Sequence, residues 1–261
     1  MDVFNESMLE ESVLELLQSM SYHYAFGPDI SPGGDQEERK DYKEVILSHR
    51  VKDALRRINR HLPEEALEEA FRQIITFNSP MLEENNRYFH QIMVEGIEVS
   101  FNEKGNIRTK RAYIIDFDHP ENNSFLAVNQ LTVIENESRR PDVVIYINGI
   151  PLVVMELKSA VDENVGIESA YNQIQTYKKD IPSLFNYNAF SILTDGVNAK
   201  VGTITSNLEW FMNWRTEDGE TIEPLYKPQF EVLIKGMLEK ERLIDIIRSF
   251  VLFQESKESD I

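Results

Sequence analysis

The feature that most constrains this chain is a pair of short apolar runs joined by Asn-Gly. Val143-Val144-Ile145-Tyr146-Ile147 and Leu152-Val153-Val154-Met155-Glu156-Leu157 carry bulky apolar residues on both alternating faces. Strands of that kind belong in the middle of a sheet covered on both sides. Asn148-Gly149 between them is a strong hairpin signal, because both residues tolerate the positive φ of a tight turn. Charge is confined to the far end of the hairpin. Asp142 begins the first strand, while Glu156 and Lys158 end the second, and strand residues two apart share a face.

This arrangement raises a question of parity. A plain two-residue turn sets Asp142 opposite Met155, and opposed residues share a face, so Asp142 would point away from Glu156 and Lys158. A loop covering residues 148–150, or a bulge near Pro151, shifts the register by one and sets Asp142 opposite Glu156. Two carboxylates held together repel, and one tends to take up a proton unless a divalent cation favours both ionised forms. Magnesium suits one or two carboxylates completed by waters and phosphate oxygens. It would polarise a phosphoryl group, and an ammonium beside it would offset developing charge. The turn is therefore expected not to be a plain two-residue one, with Val144, Tyr146, Leu152 and Val154 on the active-site face. Taken alone, D…ExK spacing is also met by ordinary strand-end charges.

Around this hairpin the pattern reads as α/β: a mixed central β-sheet flanked by helices, with a helical N-terminal layer. Helical periodicity covers residues 7–20 and 42–60, and Pro63 and Pro80 open two further helices, the last reaching about Glu95. The turn-rich segment GPDISPGGDQEE between the first two is expected to be mobile. After Gly96 come short β-type runs at Ile97–Phe101, Ala112–Phe117, Ser124–Ile134 and Ala189–Thr194, with a helix from about Val165 to Lys179. A last helical pattern runs from Pro228 to about Gln254. The expected division is one unit over 1–220 (helical layer 1–96, α/β core 97–220) and a helical lead-out over 221–261.

The 261 residues carry a net charge of −18, which argues against tight DNA binding by the chain alone. Residues 1–100 hold 10 basic and 20 acidic groups, whereas residues 101–180 hold 9 and 12. Cysteine is absent, which removes disulfides and thiol chemistry and fits a cytoplasmic protein. No stretch is long and apolar enough to cross a membrane. The five histidines lack metal-ligand spacing, and there is no G-x-x-x-x-G-K-[ST] loop for ATP.

The segment RRPDVVIYINGIPLVVMELKSA closely resembles the nuclease motif of type I restriction enzyme R subunits, members of the PD-(D/E)XK nuclease superfamily. Asn85–His90, Ile115–Phe117, Asn122–Gln130 and Leu184–Ala189 resemble further blocks of the same N-terminal domain, so the likeness covers roughly residues 5–215. It implies a restriction-endonuclease-like core that cuts double-stranded DNA with Mg²⁺. Asp142, Glu156 and the Leu157 carbonyl would be metal ligands, and Lys158 the catalytic lysine. Gln173 and Tyr177, four apart on one helix face, match the QxxxY motif of the family and would support cleavage. Many such nucleases carry an acid on a helix before the sheet. Glu10 is the candidate here, with Glu6, Glu11 and Glu15 as competitors. Arg139 and Arg140 are candidate phosphate contacts, as are Arg108, Lys110 and Arg111. The resemblance further implies partner methylase and specificity subunits. It also implies an ATP-driven motor that belongs to the full-length subunit and not to this segment, with Leu243–Phe253 leading into it. Two other readings stay open: a non-catalytic DNA-docking module that retains the fold, and an assembly domain whose acidic helices bind other subunits.

Overall fold

The computed structural model describes residues 5–158 and 166–253. The apolar hairpin stands at the centre of a six-stranded mixed sheet. Its strands are β1 (His23–Phe26), β2 (Phe125–Asn129), β3 (Val143–Ile147), β4 (Ile150–Leu157), β5 (Phe190–Thr194) and β6 (Ala199–Gly202), side by side in that order. β1 runs parallel to β2 and β4 parallel to β5, while the other neighbours are antiparallel. Every residue of β2 to β5 is buried, as strands apolar on both faces require.

The longer helices are α1 (Glu6–Ser19), α2 (Ser48–Ile58), α3 (Glu64–Ile75), α4 (Leu82–Glu95), α5 (Gly166–Asp180), α6 (Gln229–Met237) and α7 (Lys240–Ser249). Asn5 caps α1 by accepting a hydrogen bond from the Met8 amide at 3.0 Å, and Leu9, Val13 and Leu17 form its buried stripe. That stripe lies across β1, β2 and β4, and α1 also packs on α6. α5 lies on β4 and β5. An antiparallel hairpin, Ile97–Glu103 with Asn106–Ala112, packs on α3. The expected start of α5 at Val165 and the expected helix end at Gln254 lie outside the described residues.

Several expected elements differ, and each difference has a hydrogen-bonding cause. Residues 113–117 do not form a strand, because asparagine side chains take the place of a sheet neighbour. Asn59 bonds both the amide and the carbonyl of Tyr113, Asn148 donates to the Ile114 carbonyl, and Asn123 bonds both the amide and the carbonyl of Asp116. Residues 42–47 precede α2 instead of joining it. The fully buried Arg39 donates to the carbonyls of Tyr42, Glu44 and Thr132, which takes these carbonyls out of helical bonding and leaves a turn and loop here. The turn-rich segment before it is tied rather than free, with the amides of Gln36, Glu38 and Arg39 bonded to the carbonyls of Asp29 and Ile30. The expected strand Ser124–Ile134 breaks at Gln130, whose φ is +54°. The C-terminal helical pattern divides into α6 and α7, with Glu239 capping the second. β1 and β6, four residues each, were not expected at all; both are edge strands too short to show a period.

Candidate active site

A bulge, and not the turn, settles the parity of the central hairpin. Asn148 (φ +53°) and Gly149 (φ +84°) make the two-residue turn that Asn-Gly favours, with Ile147 paired to Ile150. Of the two expected forms, the bulge near Pro151 is therefore the one present, and the longer turn is corrected. The reason lies in what the turn touches. The Leu47 amide donates to the Gly149 carbonyl at 2.9 Å, and a Cβ on Gly149 would lie 2.8 Å from the Leu47 carbonyl oxygen. The buried Asn148 side chain bonds Ile114, Asn123, Ser124 and Arg57. The extra residue enters farther along instead. Tyr146 pairs with Pro151 but Ile145 pairs with Val153, leaving Leu152 as the bulge. Pro151, not Leu152, therefore stands opposite Tyr146. Proline cannot donate to a ladder, which makes its neighbour a natural place for the irregularity.

Beyond the bulge Val144 pairs with Val154 and Val143 with Met155, so one step further Asp142 meets Glu156. The contacts agree with this register. Asp142 Oδ2 accepts a hydrogen bond from the Leu157 amide at 2.7 Å, and Lys158 Nζ donates to Glu156 Oε1 at 2.7 Å. Glu156 is 1% exposed, and its Oε2 makes no hydrogen bond. Burial pushes the Glu156 carboxyl up to about 7, and the Asp142 charge adds to the rise. Burial likewise pushes Asp142 up to about 6, against the stabilising Leu157 amide and Lys158. Burial alone would lower Lys158, but Glu156, Asp142 and Glu6 together hold it above the ordinary lysine value.

The supporting residues separate into two groups. The buried Tyr177 of α5 donates its hydroxyl to the Arg140 carbonyl at 3.3 Å. Burial and then the Glu156 charge push its hydroxyl up, while Gln173 on the same helix acts to lower it. Glu10 also belongs here, since its charge acts on Asp142. Its two oxygens accept hydrogen bonds from the side-chain amides of Asn129 and Gln130. Glu6, one helical turn earlier, stands 3.8 Å from Lys158 Nζ. Sequence reasoning kept Glu6 only as a competitor and gave Asn129 and Gln130 no role. Nothing local marks them, because α1 and the end of β2 meet only in the fold.

The arginines fare differently. Arg139 is paired with Asp180, with Nε and Nη2 at 2.7 and 2.5 Å from Oδ2, so it already carries a structural ion pair. Arg140 is exposed. Arg108 and Arg111 lie on the separate hairpin, near Glu103 and bonded to the Glu95 carbonyl respectively, and Lys110 is on the same strand. Asp180 is only 7% exposed, so removing Arg139 strands a buried carboxylate. Arg139→Ala is expected to cost about 2 kcal/mol in denaturant melts, while Arg140→Ala stays within about 0.5 kcal/mol of wild type. Equal stability of the two variants would show that the Asp180 pair is not structural.

Among the described residues no cluster of three or more acidic or histidine side chains is spaced to hold a metal ion. A cation at this site would rest on the Asp142 and Glu156 pair with the Leu157 carbonyl. That donor set fits a hard dication completed largely by water. The unpartnered buried oxygen of Glu156 and the raised values of both carboxyls are what such a pair shows without a cation's charge.

A helix-flanked, six-stranded mixed sheet with a carboxylate pair and a lysine at one end of its central hairpin defines a restriction-endonuclease-like α/β core. The family described as Type I restriction enzyme R protein N terminus matches residues 3–210, and the chain belongs to it. It is 31% identical over 256 residues to the type I restriction enzyme HindI endonuclease subunit of Haemophilus influenzae, covering 97% of this chain and 24% of that relative. A Methanocaldococcus jannaschii protein, provisionally named the type I restriction enzyme MjaIXP endonuclease subunit, is 30% identical over 96% of this chain and 26% of its own length. The EcoprrI endonuclease subunit of Escherichia coli is 26% identical over 58% of this chain and 48% of its own length. The chain thus spans about a quarter of the length of the first two relatives. No helix among the described residues is long and apolar enough to cross a membrane.

Proposed function

We propose that this chain is the endonuclease module of a type I restriction R subunit. In this reading it hydrolyses phosphodiester bonds of double-stranded DNA with Mg²⁺, in a complex with methylase and specificity subunits. The observation that carries the reading is the Leu152 bulge, which turns Asp142 and Glu156 toward each other with Lys158 on Glu156. A hairpin built only for stability has no need to set two carboxylates opposite each other at a buried edge.

Asp142, Glu156 and the Leu157 carbonyl would hold the cation. When bound, it supplies Lewis-acid polarisation of the phosphoryl group and lowers the pKa of water. The chain's own residues do the rest. The Leu157 amide orients the Asp142 carboxylate, and the Lys158 ammonium supplies a fixed positive charge where charge develops on phosphate. Tyr177 and Gln173 brace the Glu156 side of the site. The direct test is plasmid cleavage by the assembled enzyme, with Mg²⁺ and with chelator. Cutting that persists in chelator overturns the metal-dependent reading, and the absence of cutting under both conditions favours a docking module.

Recognition of a DNA sequence is not expected to reside here. With a net charge of −18, the isolated chain should bind duplex DNA with a Kd of about 10 µM or weaker and without sequence preference. Fluorescence anisotropy with several unrelated duplexes checks this. Tight, salt-insensitive binding to one sequence would move specificity into this domain.

A further inference from the structure

We propose that Asn129 and Gln130 are positioning residues that hold the Glu10 carboxylate toward the Asp142 and Glu156 pair and thereby strengthen divalent-cation binding there. The inference rests on reading that pair as the cation site.

The geometry starts from a strained backbone. β2 ends at Asn129, and Gln130 turns into the left-handed region at φ +54°, a conformation that is strained for any residue with a Cβ. Three contacts hold it there. Its amide donates to the Asp142 carbonyl at 3.0 Å, and its side chain donates to Glu10 Oε2 at 2.5 Å. Its own carbonyl lies against Gly27, where a Cβ would come within 2.5 Å of the carbonyl oxygen.

The turn has a consequence for side-chain direction. Successive side chains in a strand point to opposite faces, but those of Asn129 and Gln130 converge on one carboxylate. Asn129 Nδ2 donates to Glu10 Oε1 at 2.7 Å, and the Tyr24 hydroxyl donates to Asn129 Oδ1 at 3.0 Å, which fixes the orientation of the amide. Each oxygen of Glu10 therefore has an anchored donor. Both donors are neutral, so they orient the carboxylate without cancelling its charge, as a lysine or arginine would. The Gln130 backbone grips the residue Asp142 while its side chain grips Glu10. One residue thus ties α1 to the hairpin end. Glu10 carries its charge toward Asp142, where it favours a dication.

The test uses the whole chain and Mn²⁺ as the probe, titrated by water-proton relaxation, with thermal melts in chelator. Gln130→Gly keeps the backbone donor, relieves the left-handed strain and removes only the side-chain clamp. It is expected to weaken Mn²⁺ binding about tenfold while melting at or above the wild-type temperature. Glu10→Gln should weaken binding similarly. The double variant should be no weaker than Glu10→Gln alone, because Gln130 acts through Glu10. Wild-type Mn²⁺ affinity in Gln130→Gly, with binding lost in Asp142→Ala, overturns this inference and leaves the cation site standing. Wild-type affinity in Asp142→Ala overturns the cation site, and the inference with it.

Discussion

Alanine at Asp142, Glu156 or Lys158 is expected to abolish DNA cutting by the assembled restriction enzyme, a loss of about 10³ or more, while ATP hydrolysis by that enzyme is unchanged. The three side chains form one unit. The Leu157 amide on Asp142 and the Lys158 ammonium on Glu156 leave no member independent of the hairpin end. Groups that act as a unit are strongly non-additive, so each single loss should approach the double loss in severity. Plasmid nicking assays measure the first quantity and phosphate release the second. Substantial cutting by the Glu156→Ala, Lys158→Ala double variant would remove the nuclease assignment. A parallel loss of ATP hydrolysis would point instead to a folding or assembly defect.

The second large effect is on stability and comes from the same burial. The folded chain holds Glu156 at about 7 and Asp142 at about 6, above ordinary values of 4.5 and 3.8. The folded state therefore binds more protons than the unfolded state between pH of about 4 and 7. The associated stability is fully present below the unfolded values and is lost as pH rises through the folded ones. In chelator, the wild-type chain is expected to melt at a higher temperature at a pH of about 5.5, below both folded values, than at a pH of about 8, above both. Glu156→Gln removes the larger part of that slope. It should stabilise the metal-free chain at the higher pH by roughly 2 kcal/mol, less than the full shift because Lys158 loses a partner. Mg²⁺ should raise the wild-type melting temperature at the higher pH and have little effect on Glu156→Gln. A wild-type melt that rises steadily across this range, or a destabilised Glu156→Gln, would contradict the account.

The restriction-enzyme relatives and the geometry bear on different parts of the argument. Membership of the R protein N-terminal family rests on a match over residues 3–210. The chemistry assigned to individual side chains rests on the hairpin register and on the hydrogen bonds around it. Asp142 just before β3, Glu156 on β4 and Glu10 on α1 approach from three separate elements, with Asn129 at the end of β2 and Gln130 just after it supplying the amides.

By itself the sequence determined the central hairpin, because two runs apolar on both faces have no stable place except mid-sheet, and Asn-Gly tolerates positive φ at two successive positions. It also determined the helices whose buried stripes repeat at helical spacing, such as Leu9, Val13 and Leu17 of α1. Parity required a one-residue shift near Pro151, but whether it would fall in the turn or in the strand was not written locally. That choice was made by Leu47 against Gly149 and by the buried bonds of Asn148, groups distant in sequence. The same holds for residues 113–117, whose apolar character suggests a strand until three asparagines from elsewhere bond their backbone. The Arg139 ion pair was not legible locally either, because Asp180, its partner, is brought to it only by the packing of α5. Periodicity and turn chemistry are short-range properties that a chain carries with it. Which polar group satisfies which buried partner depends on the packing of remote elements, and only the tertiary structure decides that.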